Sequence, residues 1–188
     1  CAVFKAEASE LALRDSIVSA KAGVRAFVAF DLAGGSLEAS GSLIESSADL
    51  ALRLLSLRGS RLIVDRCLLK ADSGSGFLRL GSFQDVSGEL RNSRVLVSWK
   101  GDGLLFESAG SSPAFRHMTI SAETSRGRLG AFSASGAAPE LWNSIVSFAQ
   151  GGGTLLRCEA KPGPGILVSD CLWGFETLVD GAWRASTI

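Results

Sequence analysis

The residues best placed to do chemistry are Arg91, Arg116 and Trp142, spaced 25 and 26 apart, with Glu89 and Glu140 two positions ahead of Arg91 and Trp142. An indole face flanked by guanidinium and carboxylate groups suits a sugar, whose ring stacks on the aromatic surface while its hydroxyls reach the charges. The same five residues would equally make a lattice of surface ion pairs. Glu89 and Glu140 would then flank Arg116 diagonally, each pair contributing a few tenths of a kcal/mol.

Other reactive groups are fewer. His117 is the only histidine, so any imidazole base must be this one. At the same spacing it has Asn92 and Asn143 as neighbours, and the carboxylate of Asp65 falls two repeats away at about 10 Å, beyond an orienting hydrogen bond. Ser93 or Ser144 would complete a serine-histidine pair without a third member, so we expect His117 to be structural. Glu45 and Asp72 could meet at one turn edge, and acid pairs for glycoside hydrolysis stand about 5 to 10 Å apart. Cys1, Cys67, Cys158 and Cys171, with spacings of 66, 91 and 13, match no metal motif. Cys67 and Cys171 would lie on the order of 19 Å apart, too far for a disulfide, and are expected as buried thiols. No catalytic set, metal site or cofactor is expected.

Such spacings need an element that repeats, and residues 140–148 are echoed along almost the whole chain. Leu13, Leu37, Ile63, Leu90, Phe115, Leu141 and Leu167 follow one another at intervals of 24, 26, 27, 25, 26 and 26. A second marker, Phe27, Leu52, Leu78, Leu104, Leu129, Leu155 and Leu178, steps by 25, 26, 26, 25, 26 and 23. A fixed period in this range signifies a repeat architecture. Within units the apolar residues alternate with polar ones, the strand period of two, and Gly and Ser clusters at 33–36, 72–76, 110–113 and 151–153 supply turns that no helix could continue. Two or three short strands per unit make one coil of a parallel β-helix. The leucine-rich repeat suggested by residues 50–57 fails, because other units lack its leucine spacing and its helical half.

Equivalent residues of successive coils stack at about 4.8 Å. The column two after the first marker reads Asp15, Ala39, Asp65, Asn92, His117, Asn143 and Ser169, a polar corner whose side chains bond the bending backbone. Beyond it Ile17, Cys67, Thr119, Ile145 and Cys171 are expected to point inward. The columns on either side of the marker should face solvent. One reads Arg14, Glu38, Val64, Arg91, Arg116, Trp142 and Val168, and the other Ala12, Ser36, Leu62, Glu89, Ala114, Glu140 and Ile166. Outward Leu62, Val64, Ile166 and Val168 would then ask for a cover. Trp99, Trp173 and Trp183, near turns or the C-terminal end, are expected to plug corners.

The repeated Asn-Ser-Ile-Val corner with Gly-rich turns resembles the right-handed parallel β-helix, or pectin-lyase-like, proteins over roughly residues 3–180. The resemblance implies an all-β, single-stranded right-handed parallel β-helix, a solenoid of about seven coils of about 26 residues forming one domain over 1–188. Handedness comes from the resemblance alone. Enzymes of that fold use clustered Asp pairs, or Asp-bound calcium with an Arg or Lys base. The Asn-Thr-Asp, Asp-Asp, Gly-His-Gly and Arg-Ile-Lys set of the polygalacturonases and the Asp triplet of the pectate lyases are both missing from this sequence.

Nineteen basic and 19 acidic residues cancel, which removes the electrostatic reason to bind nucleic acid. No apolar run reaches the ~20 residues of a membrane-spanning helix. The start at Cys1 suggests a mature product or part of a longer exported chain, and a lipid anchor there is less favoured because no polar tether follows. Four free thiols argue mildly against an oxidising compartment. We expect a non-catalytic extracytoplasmic module, structural or binding polysaccharide or protein surfaces, with open coil ends that could meet another copy or a flanking domain. The alternatives are a polysaccharide lyase or glycoside hydrolase, and a structural segment of a larger surface assembly.

Overall fold

The computed structural model describes residues 2–22, 27–72, 74–136, 139–149, 153–157, 167–174, 177–180 and 186–187. These residues form strands and turns without a helix, and every strand pairing is parallel, between successive turns of the chain. No helix among them is long and apolar enough to cross a membrane. Each turn lays down three strands, one on each of three faces. Face one holds Arg61–Asp65, Ser87–Arg91, Ala114–Arg116, Glu140–Trp142 and Leu167–Ser169. Face two is a separate seven-stranded sheet running from Ile17–Ala22 to Leu172–Gly174. Face three includes Leu52–Arg58, Leu78–Gln84, Gly103–Gly110 and Leu129–Gly136. Strands Ala2–Arg14 and Phe27–Ser40 run from face three into face one and fuse the two into one 14-stranded sheet. The parallel β-solenoid expected from the repeat is thus present.

The registers shift some columns from their expected places. The inward column of face one is Leu13, Ala39, Val64, Leu90, Phe115 and Leu141, and the register partner of Leu141 on the next strand is Val168. Leu37, Ile63 and Leu167 do not belong to it. Inward positions recur every second residue, so Leu37 is also buried but pairs with Leu11 and Leu62, and in the apolar run Leu62-Ile63-Val64 hydrophobicity cannot mark the phase. Leu62 and Val64 are fully buried, so they form no outward patch, and Ile166 lies outside the described residues. On face three, Gly103 and Gly153 hold the places expected for Leu104 and Leu155.

The corner between faces one and two shows why the polar column exists. Asp15, Arg66, Asn92, His117, Asn143 and Asp170 all have φ between 46° and 53°, and Gly41 has 58°. This left-handed conformation is easiest for Gly, Asn and Asp. Asp15, Asn92, His117 and Asn143 stand where expected, while Gly41, Arg66 and Asp170 replace Ala39, Asp65 and Ser169. The amides of Asp15, Gly41, Arg66, Asn92, His117 and Asn143 each donate to a carbonyl of the next turn, as Asn92 N does to Arg116 O at 3.0 Å and His117 N to Trp142 O at 2.9 Å.

Immediately after the bend comes a column of Ser16, Ser42, Cys67, Ser93, Met118, Ser144 and Cys171, buried through its middle. The amide of Cys67 donates to Ser93 Oγ at 3.0 Å and that of Met118 to Ser144 Oγ at 3.0 Å. Each hydroxyl in turn donates to the carbonyl two residues back, Arg91 O at 2.6 Å and Trp142 O at 2.7 Å. Buried amides that face a corner rather than a ladder are satisfied in this way. Cys67 and Cys171 belong here, both free, with burial pushing both thiols up. Ile17 and Ile145, expected inward, are instead 75% and 46% exposed, and Thr119 shares their outward register. The inward stack is Val18, Ile44, Leu69, Val95, Ile120 and Val146. Cys1 and Cys158 lie outside the described residues.

The core is a stack of rings. Phe106 packs between Phe83 and Phe132, at centroid distances of 6.1 and 5.7 Å, with Phe115 tilted against it at 4.8 Å. Gly81 shares a column with Leu55 and Phe106. A β-carbon there would lie 2.6 Å from Phe83 Cζ and 2.9 Å from Phe106 Cδ1. At the corner between faces two and three, Trp99 is buried and donates from Nε1 to Gly76 O at 2.8 Å, so it plugs the corner as expected. Trp183 lies outside the described residues.

Two substitutions test this account by urea unfolding. Gly81→Ala should overfill the ring stack and cost about 1–3 kcal/mol. Ser93→Ala should strand the Cys67 amide and cost about 1–3 kcal/mol. The exposed Ser121→Ala should stay within about 0.5 kcal/mol of the parent, and similar midpoints for all three would refute both claims.

Candidate functional site

Face one positions the five residues singled out above. Phe115 and Leu141 point inward and are fully buried, so strand alternation turns their neighbours outward. The register pairs Arg91 with Arg116 and Arg116 with Trp142. The outer column is therefore Arg14, Ser40, Asp65, Arg91, Arg116, Trp142 and Ser169, with Ser40 and Asp65 in place of Glu38 and Val64. Its companion runs Ala12, Glu38, Ile63, Glu89 and Ala114, without Ser36 or Leu62.

One half of this surface is closed by ion pairs. Arg91 Nη1 donates to Glu89 Oε1 at 2.8 Å, and Arg91 Nε lies 3.3 Å from Asp65 Oδ1. Asp65 also accepts from Asn92 Nδ2 at 2.9 Å and faces Arg66 at 3.4 Å. Asp65 was not expected in this group, because its place in the sequence assigned it to the bend. A lattice forms, but its close contacts centre on Arg91, with Glu89 and Asp65, rather than on Arg116 as expected.

The other half is open. Arg116 reaches Glu89 only at 3.9 Å and its side chain is half exposed. Trp142 is 39% exposed, in register beside it. Glu140, on the same strand as Trp142, makes no ion pair among the described residues, so the expected Glu140–Arg116 bridge does not form. The result is an exposed indole with a loosely held guanidinium and a carboxylate without an ion pair among the described residues, on a backbone held by ladders.

His117 sits at the adjoining corner, exposed, with a structural backbone bond as its tie to the next turn. Glu45 and Asp72 do line one cavity, of about 230 Å³, but share it with Lys21 and Lys70, and Lys70 is the register partner of Glu45. Among the described residues no group of three or more His, Cys, Asp or Glu is clustered to hold a metal. Comparison with protein-family models, curated proteins and solved structures finds no match.

The Asn92 hydrogen bond, more than the partial burial that opposes it, holds the Asp65 carboxyl below the usual range, and Arg91 and Arg66 add to this. A depressed carboxyl stabilises the fold fully above its unfolded pKa of about 3.9, and the contribution is lost as pH falls through the lower folded value. Asp65→Asn should therefore be less stable than the parent near neutrality, and the gap should close from about pH 4 downward. Unfolding midpoints across that range measure it, and a constant gap would show that the carboxylate charge is not involved.

Proposed function

We propose that this chain is a non-catalytic β-helix module, working outside the cytoplasm, that binds glycan through the outer side of face one. Trp142 supplies the stacking platform, while Arg116 and Glu140 bond the hydroxyls of the ring. The observation that carries this reading is the exposed indole in ladder register with an arginine whose ion pair to Glu89 is long, at 3.9 Å. Two physical points support it. Strand ladders hold the site before any ligand arrives, so little conformational entropy is lost on binding. A flat outer face also lets a polysaccharide lie across several turns, each adding contacts. We place the fold's kinship with the right-handed, pectin-lyase-like β-helices, as a scaffold without their acid or calcium chemistry.

The test is binding of neutral and acidic polysaccharides, with and without calcium, to the parent, Trp142→Ala and Arg116→Ala. Loss of a stacked ring should weaken binding about tenfold, with the melting temperature almost unchanged because the indole is exposed. Silence across the polysaccharides, or equal binding by Trp142→Ala, would overturn the glycan reading. Turnover of any of them would overturn the non-catalytic one.

A further inference from the structure

Face three carries a second group of polar residues, independent of Trp142 and of the glycan reading. Three neighbouring strands bring Asp31, Arg53, Ser56, Arg58, Ser82 and Gln84 around a cavity of about 300 Å³. Arg53 and Arg79 are register partners on adjacent strands, so two like charges stand about one rung, ~4.8 Å of backbone spacing, apart.

The two arginines are compensated differently. Arg79 Nε lies 2.9 Å from Glu107 Oε2, and its guanidinium covers the Phe77 ring at 5.4 Å. That Nε is close to the carboxylate but not aligned with it as a hydrogen bond, so charge rather than geometry holds the pair. Arg53 is partly buried, and among the described residues neither it nor Arg58 has a carboxylate at ion-pairing distance. Burial first, then Arg79 beside it, lowers the Arg53 guanidinium from the usual arginine range, against a smaller opposing pull from Glu107 and Asp31.

The cavity thus presents two guanidiniums without an ion pair among the described residues against one carboxylate, Asp31. It also has two hydroxyls from register partners, Ser56 and Ser82, with Ser56 only 8% exposed. Donors converge from two parallel strands on one space, and the charge missing from it is negative.

We propose that this cavity binds a tetrahedral oxyanion, a sulfate or phosphate group, held by Arg53 and Arg58 and by the hydroxyls of Ser56 and Ser82. The space exceeds a single ion, so the anion can arrive as an ester on a larger carrier. Asp31 then offers an acceptor to a hydroxyl of that carrier. The structure assigns the ligand by its charge and donor demand, and the source is decided by titration.

Calorimetric titrations of the intact chain with sodium sulfate, inorganic phosphate, dextran sulfate and unmodified dextran test the assignment. The variants are Arg53→Gln, Trp142→Ala and the exposed Arg126→Gln, which removes one charge from a different corner. Saturable binding of dextran sulfate or of an inorganic anion should weaken at least tenfold in Arg53→Gln, since a hydrogen bond to a charged group is at stake. It should change less than about twofold in Arg126→Gln and Trp142→Ala. Binding of dextran sulfate assigns an ester, and binding of the inorganic ions alone assigns a free anion. Equal weakening by Arg126→Gln and Arg53→Gln would show diffuse charge attraction and overturn the site. So would absence of all binding, or binding of unmodified dextran that Arg53→Gln abolishes. Should Arg53→Gln melt early, Arg58→Gln and Ser56→Ala replace it with the same expectation. Loss confined to Trp142→Ala, with Arg53→Gln binding like the parent, would place the anion on face one and overturn the site as well.

Discussion

Between one turn of this solenoid and the next, the backbone hydrogen bonds run to the neighbouring turn and almost never within the same one, so every residue stands on its counterpart about one strand spacing away. A turn that placed a polar group in an inward column would bury it against the turns above and below. The corners carry the heaviest demand, because there the chain leaves a ladder and its amides lose their partners. The left-handed residues from Asp15 to Asp170 make the bend, and the hydroxyl column from Ser42 to Ser144 receives the amides behind it. Cys67 and Cys171 fit that column because a thiol is a weaker version of the same donor, and both bond carbonyls two residues back.

The same stacking sets the electrostatics of the surface. Charges of opposite sign in one column or in adjacent columns close into lattices, as Asp65 and Glu89 do around Arg91 on face one. Charges of like sign in one column cannot relieve themselves, as with Arg53 and Arg79 on face three. Where the lattice runs out, side chains remain available. Arg116 and Trp142 lie at that boundary on face one, and Arg53 with Arg58 on face three.

The glycine at position 81 illustrates how packing departs from a simple repeat. Its column holds phenylalanine two turns earlier, at Phe30, and one turn later, at Phe106. The missing side chain is replaced by the ring of Phe83 from a neighbouring inward position. Volume is conserved across the column rather than at each member. Nothing in the local sequence distinguishes this glycine from those of the turns.

By itself the sequence determined the period, the parallel β-solenoid and the outward placing of Arg91, Arg116 and Trp142, because a step near 26 and strand alternation are both local patterns that survive without coordinates. It also located four of the seven bends, where Asp, Asn or His marks the left-handed residue. Only the tertiary structure decided the phase of each turn. Leu62, Ile63 and Val64 are equally apolar, and the choice of which points inward is made by the ladder to Leu37 and Leu90. That choice moved Asp65 into the lattice and Ile17 out to solvent. It also brought Arg53 beside Arg79 around a common cavity, a grouping of residues spread over three turns that no spacing in the sequence announces.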